Sequence, residues 1–195
     1  AAGSEQYGFW FSLPDRVEGP SAGMPLAKST CPVYTPLTEF ADNTAHSCNK
    51  NGLHIYVKWL SLIDGYGGHC SMWKGRPVPI NIERFSAWKC RHAGYHAHNT
   101  AVLSCLNCTF ADCQYAWQHN QFTLGESGGA IDGALVVGES NNLGNPSAST
   151  CTSSSTPCCM TADGVTRTIP AIKWRQRNYG VQIPFSGPLH VANST

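Results

Sequence analysis

A short phrase that returns along the chain with a changed ending constrains the fold more than any other feature. It reads Phe40-Ala-Asp-Asn43, then Phe85-Ser-Ala-Trp88, then Phe110-Ala-Asp-Cys113. The first two copies are each followed by a Gly and a short polar-apolar run, Gly52-Leu-His-Ile-Tyr56 and Gly94-Tyr-His-Ala-His98. The last two copies begin at positions 85 and 110. A period of roughly 20–30 residues built from short strands and turns marks a solenoid. In a parallel stack equivalent residues lie about 4.8 Å apart, so Phe85 is expected over Phe110 in an internal ladder, with Cys90 and Cys113 in register.

Composition fits that reading. Of 195 residues 13% are charged, while 19 are Gly and 12 are Pro, which favours tight turns over long solvated helices. The length suits one domain, 1–195, with loop insertions at 64–79 and 140–169. Strands are expected at Tyr7–Leu13, at Leu53, Ile55 and Val57, and at Ile80–Ile82, Ala101–Leu103, Ala134–Val137, Ala171–Trp174 and Tyr179–Ile183, with little helix. A net charge of +1 gives no footprint for nucleic acid, and no apolar run is long enough to span a bilayer. The chain begins without Met or signal peptide and ends on a polar tail, as a fragment of a larger ectodomain would.

The ten cysteines, Cys31, Cys48, Cys70, Cys90, Cys105, Cys108, Cys113, Cys151, Cys158 and Cys159, are even in number and irregularly spaced. Cys105 and Cys108 have the spacing of zinc knuckles and redox motifs. Asn107-Cys-Thr109 and Asn193-Ser-Thr195 are N-glycosylation sequons, and with the cysteines they point to an oxidising, extracellular setting. All ten are therefore expected in disulfides that pin the long loops, with connectivity open. The Ser/Thr-rich run 147–157 is expected to be clamped by Cys151, Cys158 and Cys159 or to carry O-linked sugar.

Gly8-Phe-Trp-Phe11, Gly19-Pro-Ser21, Pro36-Leu-Thr-Glu-Phe-Ala-Asp-Asn-Thr-Ala-His-Ser47 and Gly52-Leu-His-Ile55 resemble the β-helix region of fibrocystin-L and of the cell-migration-inducing hyaluronan-binding protein. Tyr179-Gly-Val-Gln-Ile-Pro-Phe-Ser-Gly-Pro188 resembles a later strand of the same family. The resemblance implies an all-β, right-handed parallel β-helix from a secreted protein or the ectodomain of a single-pass membrane protein. It carries over no catalytic residue.

Candidate chemistry is sparse. His92, His96 and His98, with His119 stacking beside His96, form a histidine cluster; His96, His98 and His119 are candidate Zn²⁺ or Cu²⁺ ligands, against a reading as a polar ladder bonded to backbone and water. Otherwise no cofactor beyond N-linked glycan is expected. Glu83, Asp112, Glu126 and Asp132 are the acids a polysaccharide lyase or hydrolase would need; Asx turns at corners account for Asp112 and Asp132 equally well. Trp59, Trp73, Trp88, Trp117 and Trp174 fit core anchors or sugar platforms, and Lys89, Arg91, Lys173, Arg175 and Arg177 fit either a solvated face or contacts to an anionic glycan. No Gly-x-Ser-x-Gly elbow, Walker loop or dinucleotide fingerprint is present. The sequence thus argues for a structural or adhesive module of a coat, matrix or filament, capable of homotypic stacking, over a carbohydrate-active protein that binds or cleaves hyaluronan or another acidic glycan.

Overall fold

Runs in which every second residue is apolar cannot bury that face alone, and here each run pairs with its equivalent one circuit away. The computed structural model describes residues 1–56, 58–63, 70, 75–120, 129–138, 179–182 and 189–195. In chain order its strands are β1 (Tyr7–Phe11), β2 (Thr44–His46), β3 (Asn51–Ile55), β4 (Leu62–Ile63), β5 (Arg76–Pro77), β6 (Ile80–Glu83), β7 (Ser86–Trp88) and β8 (Ala93–Ala97). They continue as β9 (Leu103–Leu106), β10 (Thr109–Ala111), β11 (Tyr115–His119), β12 (Gly129–Asp132), β13 (Leu135–Val137), β14 (Tyr179–Gln182) and β15 (Leu189–Ala192). Strands β1, β3, β8, β11 and β14 make a first parallel sheet; β2, β7, β10 and β13 a second; β6, β9, β12 and β15 a third. The chain visits them in fixed order. β6, β7 and β8 lie in the third, second and first sheets, and β9, β10 and β11 repeat the sequence. Among the described residues there is no α-helix, only 3₁₀ turns at Gly19–Gly23, Pro25–Lys28 and Pro32–Tyr34.

Two corners make the repetition possible. Asp42, Arg84, Asn107, Gly133 and Asn193 all have left-handed backbone, φ between 47° and 66°, and occupy one corner column. The first four donate their N–H to the next circuit: Asp42 to the Glu83 carbonyl at 3.1 Å, Arg84 to Leu106 at 2.8 Å, Asn107 to Asp132 at 2.7 Å and Gly133 to Ala192 at 3.2 Å. Ser47, Lys89 and Asp112, φ 53° to 55°, form the second column, donating at 3.1 Å to the carbonyls of Trp88, Ala111 and Val137. Asn and Asp tolerate this conformation; Ser, Arg and Lys do so at a cost that the bonds between circuits offset.

The recurring Phe phrase is not the structural repeat. Ser86 pairs with Thr109, a step of 23, whereas Phe85 and Phe110 are 25 apart. Phe110 therefore sits across from Ala87 and not from Phe85. The mismatch is an even number, so both rings still point inward, and they meet edge-on at 6.3 Å. Phe40, beside the Ala41–Glu83 bridge, belongs to a third column, yet its ring lies 5.7 Å from that of Phe85. The rings fill one core with Leu53, Ile55, Tyr95, Leu103 and Trp117. The strand expected at Ala101–Leu103 begins only at Leu103, after a bend at Ala101 and Val102 that follows the Trp59–Thr100 bridge.

A second, smaller core gathers Val33, Tyr34, Leu60 and Leu62 with Cys31 and Cys70. Cys31 is bonded to Cys70, and the Tyr34 hydroxyl donates to the Cys70 carbonyl at 3.1 Å. Within the insertion, expected as loop, Arg76–Pro77 forms β5 and pairs antiparallel with β4, which lies just before it. A second disulfide joins Cys105 and Cys108 around the Asn107 corner. Cys48, Cys90 and Cys113, also expected in disulfides, are instead buried free thiols, and they fall at the same place in successive circuits, stacked in one interior column. Val57, most of the 64–79 insertion, the loop at 140–169 with Cys151, Cys158 and Cys159, and the strand expected at Ala171–Trp174 lie outside the described residues.

Gly8, Gly52 and Gly94 mark where the first sheet closes on the second. A Cβ on Gly52 would lie 2.6 Å from the Gly94 carbonyl oxygen and 2.8 Å from the Ala87 Cβ, both fixed by pairing. Gly52→Ala is expected to lower the unfolding free energy by about 1–3 kcal/mol in a denaturant titration. Gly23→Ala, with nothing within 4 Å, serves as the control and should change it by less than about 0.5 kcal/mol.

Candidate functional site

The outer face of the first sheet holds the densest polar constellation among the described residues. Leu53 and Ile55 turn into the core, so alternation turns His54 between them outward, and parallel register sets His54 of β3 directly beside His96 of β8. With Tyr7, Lys50, Asn51, Arg91, His92 and Gln114 they line a cleft of about 540 Å³ that contains no carboxylate. Tyr7 stacks on His54 at 4.1 Å, and the Lys50 ammonium lies 5.5 Å from the Tyr7 ring centre. The Arg91 guanidinium donates to Asn49 Oδ1 at 2.7 Å.

The hydrogen bonds assign the tautomers. Asn51 Oδ1 accepts from the Ala93 N–H at 3.2 Å, so its Nδ2 must be the group that donates to His54 Nδ1 at 3.0 Å. His54 Nδ1 is thus bare, and His96 Nδ1 carries the proton it donates to it across 2.8 Å. His96 Nε2 is then bare and accepts from Asn120 Nδ2 at 3.0 Å, while His92 Nδ1 donates to Asn51 Oδ1 at 3.0 Å. His54 and His96 are both neutral. Burial, reinforced by Lys50 and the neighbouring rings, depresses His54 to about 4, and burial with His54 alongside depresses His96 to about 3.

The expected metal trio does not assemble, and this is a correction. His119 pairs with Ala97, not His96, because Gln118 is the residue in register with His96. His119 is buried on the inner side, its Nε2 2.9 Å from the Thr100 hydroxyl oxygen. His98 lies past the end of β8 against Tyr56, with ring centres 5.5 Å apart. Among the described residues no three His, Cys, Asp or Glu side chains converge as a metal site.

The acids are also apart. Glu83 and Asp132 share a column of the third sheet with Leu106 between them, and Glu83 pairs with Arg84 at 3.1 Å. Asp132 accepts from Asn193 Nδ2 at 2.8 Å, and Asp112 is buried at the second corner. Asn107 and Asn193 are exposed on the first corner column, and Lys89 stands on the second. Trp117 is buried against Tyr95 at 4.0 Å, Trp59 donates to the Thr35 carbonyl at 2.8 Å, and Trp88 stacks on His46. Glu126, Lys173, Arg175, Arg177, Trp73 and Trp174 lie outside the described residues. Sequence reasoning missed His54, Asn51 and Tyr7. The signal was present in Gly52-Leu-His and Gly94-Tyr-His, which align once the glycines are superposed.

The depressed imidazoles have a consequence for stability. Above an unfolded-state value near 6.5 both are neutral folded or unfolded, and their contribution is complete. As pH falls from there toward 4 the unfolded chain binds protons first, so stability drops by up to about 1.4 kcal/mol per pH unit for each imidazole. Denaturant titrations between pH 7 and 4 should show this slope, and His54→Gln and His96→Gln should each flatten it.

Comparison with known proteins follows the same architecture. Residues 1–53 match the CEMIP beta-helix family. Mouse fibrocystin-L is 30% identical over 152 residues, 74% of this chain and 3% of that protein, and human fibrocystin-L is 28% identical over 155 residues, 75% of this chain and 3% of its own length. The chain therefore spans about 3% of the length of these relatives. The matches are consistent with an extracellular protein module, and no helix among the described residues is long and apolar enough to cross a membrane. The chain resembles both the CEMIP β-helix region and fibrocystin-L.

Proposed function

We propose that the chain is a scaffold segment of a right-handed parallel β-helix within an extracellular coat, matrix or filament protein. The observation that carries this reading is the return of every described circuit to the same three sheets with its corners in column. Crossovers between parallel strands of one sheet are overwhelmingly right-handed, which supplies the hand. The outer strands of a parallel stack carry ladder groups that pair with further circuits or with a second copy, which favours association through those edges. N-linked glycans on Asn107 and Asn193 would project from a single corner column and leave the first-sheet cleft uncovered. Light scattering across a hundredfold range of concentration is expected to show the mass rising by association. A constant monomer mass over that range would sink homotypic assembly.

A second reading is favoured by one observation, the cleft lined by Lys50, Arg91 and the imidazoles of His54, His92 and His96 without an acid. Such a surface offers donors and positive charge to an acidic glycan such as hyaluronan, while Tyr7 offers a ring to a sugar face. The reading is of binding, since among the described residues the acids Glu83 and Asp132 are kept apart by Leu106. Titration with size-defined hyaluronan oligosaccharides should show salt-sensitive binding without shortening of the polymer. Lys50→Ala with Arg91→Ala should weaken it at least about tenfold, as loss of two charge-assisted contacts implies. Unchanged affinity in that variant would remove the cleft as the binding site.

A further inference from the structure

The thiols of Cys48, Cys90 and Cys113 belong neither to the cleft nor to either disulfide. They follow β2, β7 and β10 at the same corner, and each thiol donates to the carbonyl two residues before it: His46 at 3.5 Å, Trp88 at 3.7 Å and Ala111 at 3.3 Å. Hydrogen bonds between circuits flank them on both sides. The Ser47 N–H meets the Trp88 carbonyl at 3.1 Å and the Arg91 N–H meets the Cys48 carbonyl at 2.9 Å, while the Lys89 N–H meets the Ala111 carbonyl at 3.1 Å and the Tyr115 N–H meets the His92 carbonyl at 2.9 Å. That pairing holds adjacent Cα atoms at roughly the 4.8 Å strand spacing, inside the range of about 4.4–6.8 Å that disulfides span. Cys48 and Cys113 are two steps apart, beyond that range. Cys90 touches both neighbours; the adjoining thiol, and then burial, push Cys48 and Cys90 well above the ordinary thiol range.

We propose that this column is an oxidative modification site holding one disulfide at a time, Cys48–Cys90 or Cys90–Cys113, with Cys90 the shared partner. The oxidant is a small-molecule disulfide such as oxidised glutathione. While the chain folds and the column is still open to solvent, one of its thiolates attacks one sulfur of the oxidant, breaking the S–S bond and releasing one glutathione thiolate. A second column thiolate attacks the resulting mixed disulfide and releases the other glutathione thiolate. Two column thiols thus lose two electrons and two protons; the oxidant becomes two thiols. The third column cysteine stays reduced and can attack the new bond, moving it one circuit along without any further oxidant. The Cys48–Cys90 form ties together the circuit that carries the insertion, the Cys90–Cys113 form the compact circuit after it.

The test uses the full chain folded in a buffer of reduced and oxidised glutathione, with free thiols then blocked by a maleimide in denaturant and cross-linked peptides mapped by mass spectrometry. Both the 48–90 and 90–113 linkages are expected, together with one blocked thiol of the three in each molecule and no 48–113 linkage. Cys48→Ser should leave only 90–113, Cys113→Ser only 48–90, and Cys90→Ser neither. If Cys90→Ser does not fold, the wild-type map decides alone. Three blocked thiols in the wild-type chain while Cys31–Cys70 remains bonded would overturn the proposal, as would a 48–113 linkage.

Discussion

Parallel pairing between circuits is the constraint from which the rest of this molecule follows. A strand of three to five residues has almost no stability by itself, so each must present its N–H and C=O groups to the strand one circuit away at the same height. That demands a chain that turns sharply at fixed places, and the left-handed corners at Asp42, Arg84, Asn107, Gly133 and Asn193 supply the turns. Once the corners are fixed, side chains are fixed too. Asp42 receives the Arg84 guanidinium in two bonds of 2.7 and 2.9 Å because both stand on one column. His54 meets His96, and the thiols meet, for the same reason.

What could be read from the sequence divides along this line. Alternating apolar residues, Gly and Pro revealed a β architecture of short strands and even the pinning of the insertion through Cys70. Register was harder. The Phe phrase seemed to announce the period, but the rings share a core without sharing a column, since an interior wide enough for aromatic side chains lets them interleave. The Gly-x-His phrase was the truer guide, because its glycine is fixed by the closeness of two sheets and cannot drift. His119 was misplaced by a single residue, which in a strand is enough to carry a side chain from outside to inside.

The cleft shows how a chain of low charge can still build a polar surface. Its imidazoles hold their protons on assigned nitrogens because amides from Asn51 and Asn120 occupy the alternatives. Such a face recognises by hydrogen bonding first and by charge second, with Lys50 and Arg91 at its margin. Composition alone could not have located it, since it is parallel register that brings His54 and His96 together.

The hairpin of β4 and β5 separates two kinds of length in this chain. Asp42 to Arg84 takes 42 residues and Arg84 to Asn107 takes 23, yet both pairs sit one rung apart. Chain added between Ile63 and Arg76 is therefore invisible to the ladder above and below it. The hairpin behaves as a splice point, where segments of any length could be exchanged during evolution or grafted by design while the rungs keep their count.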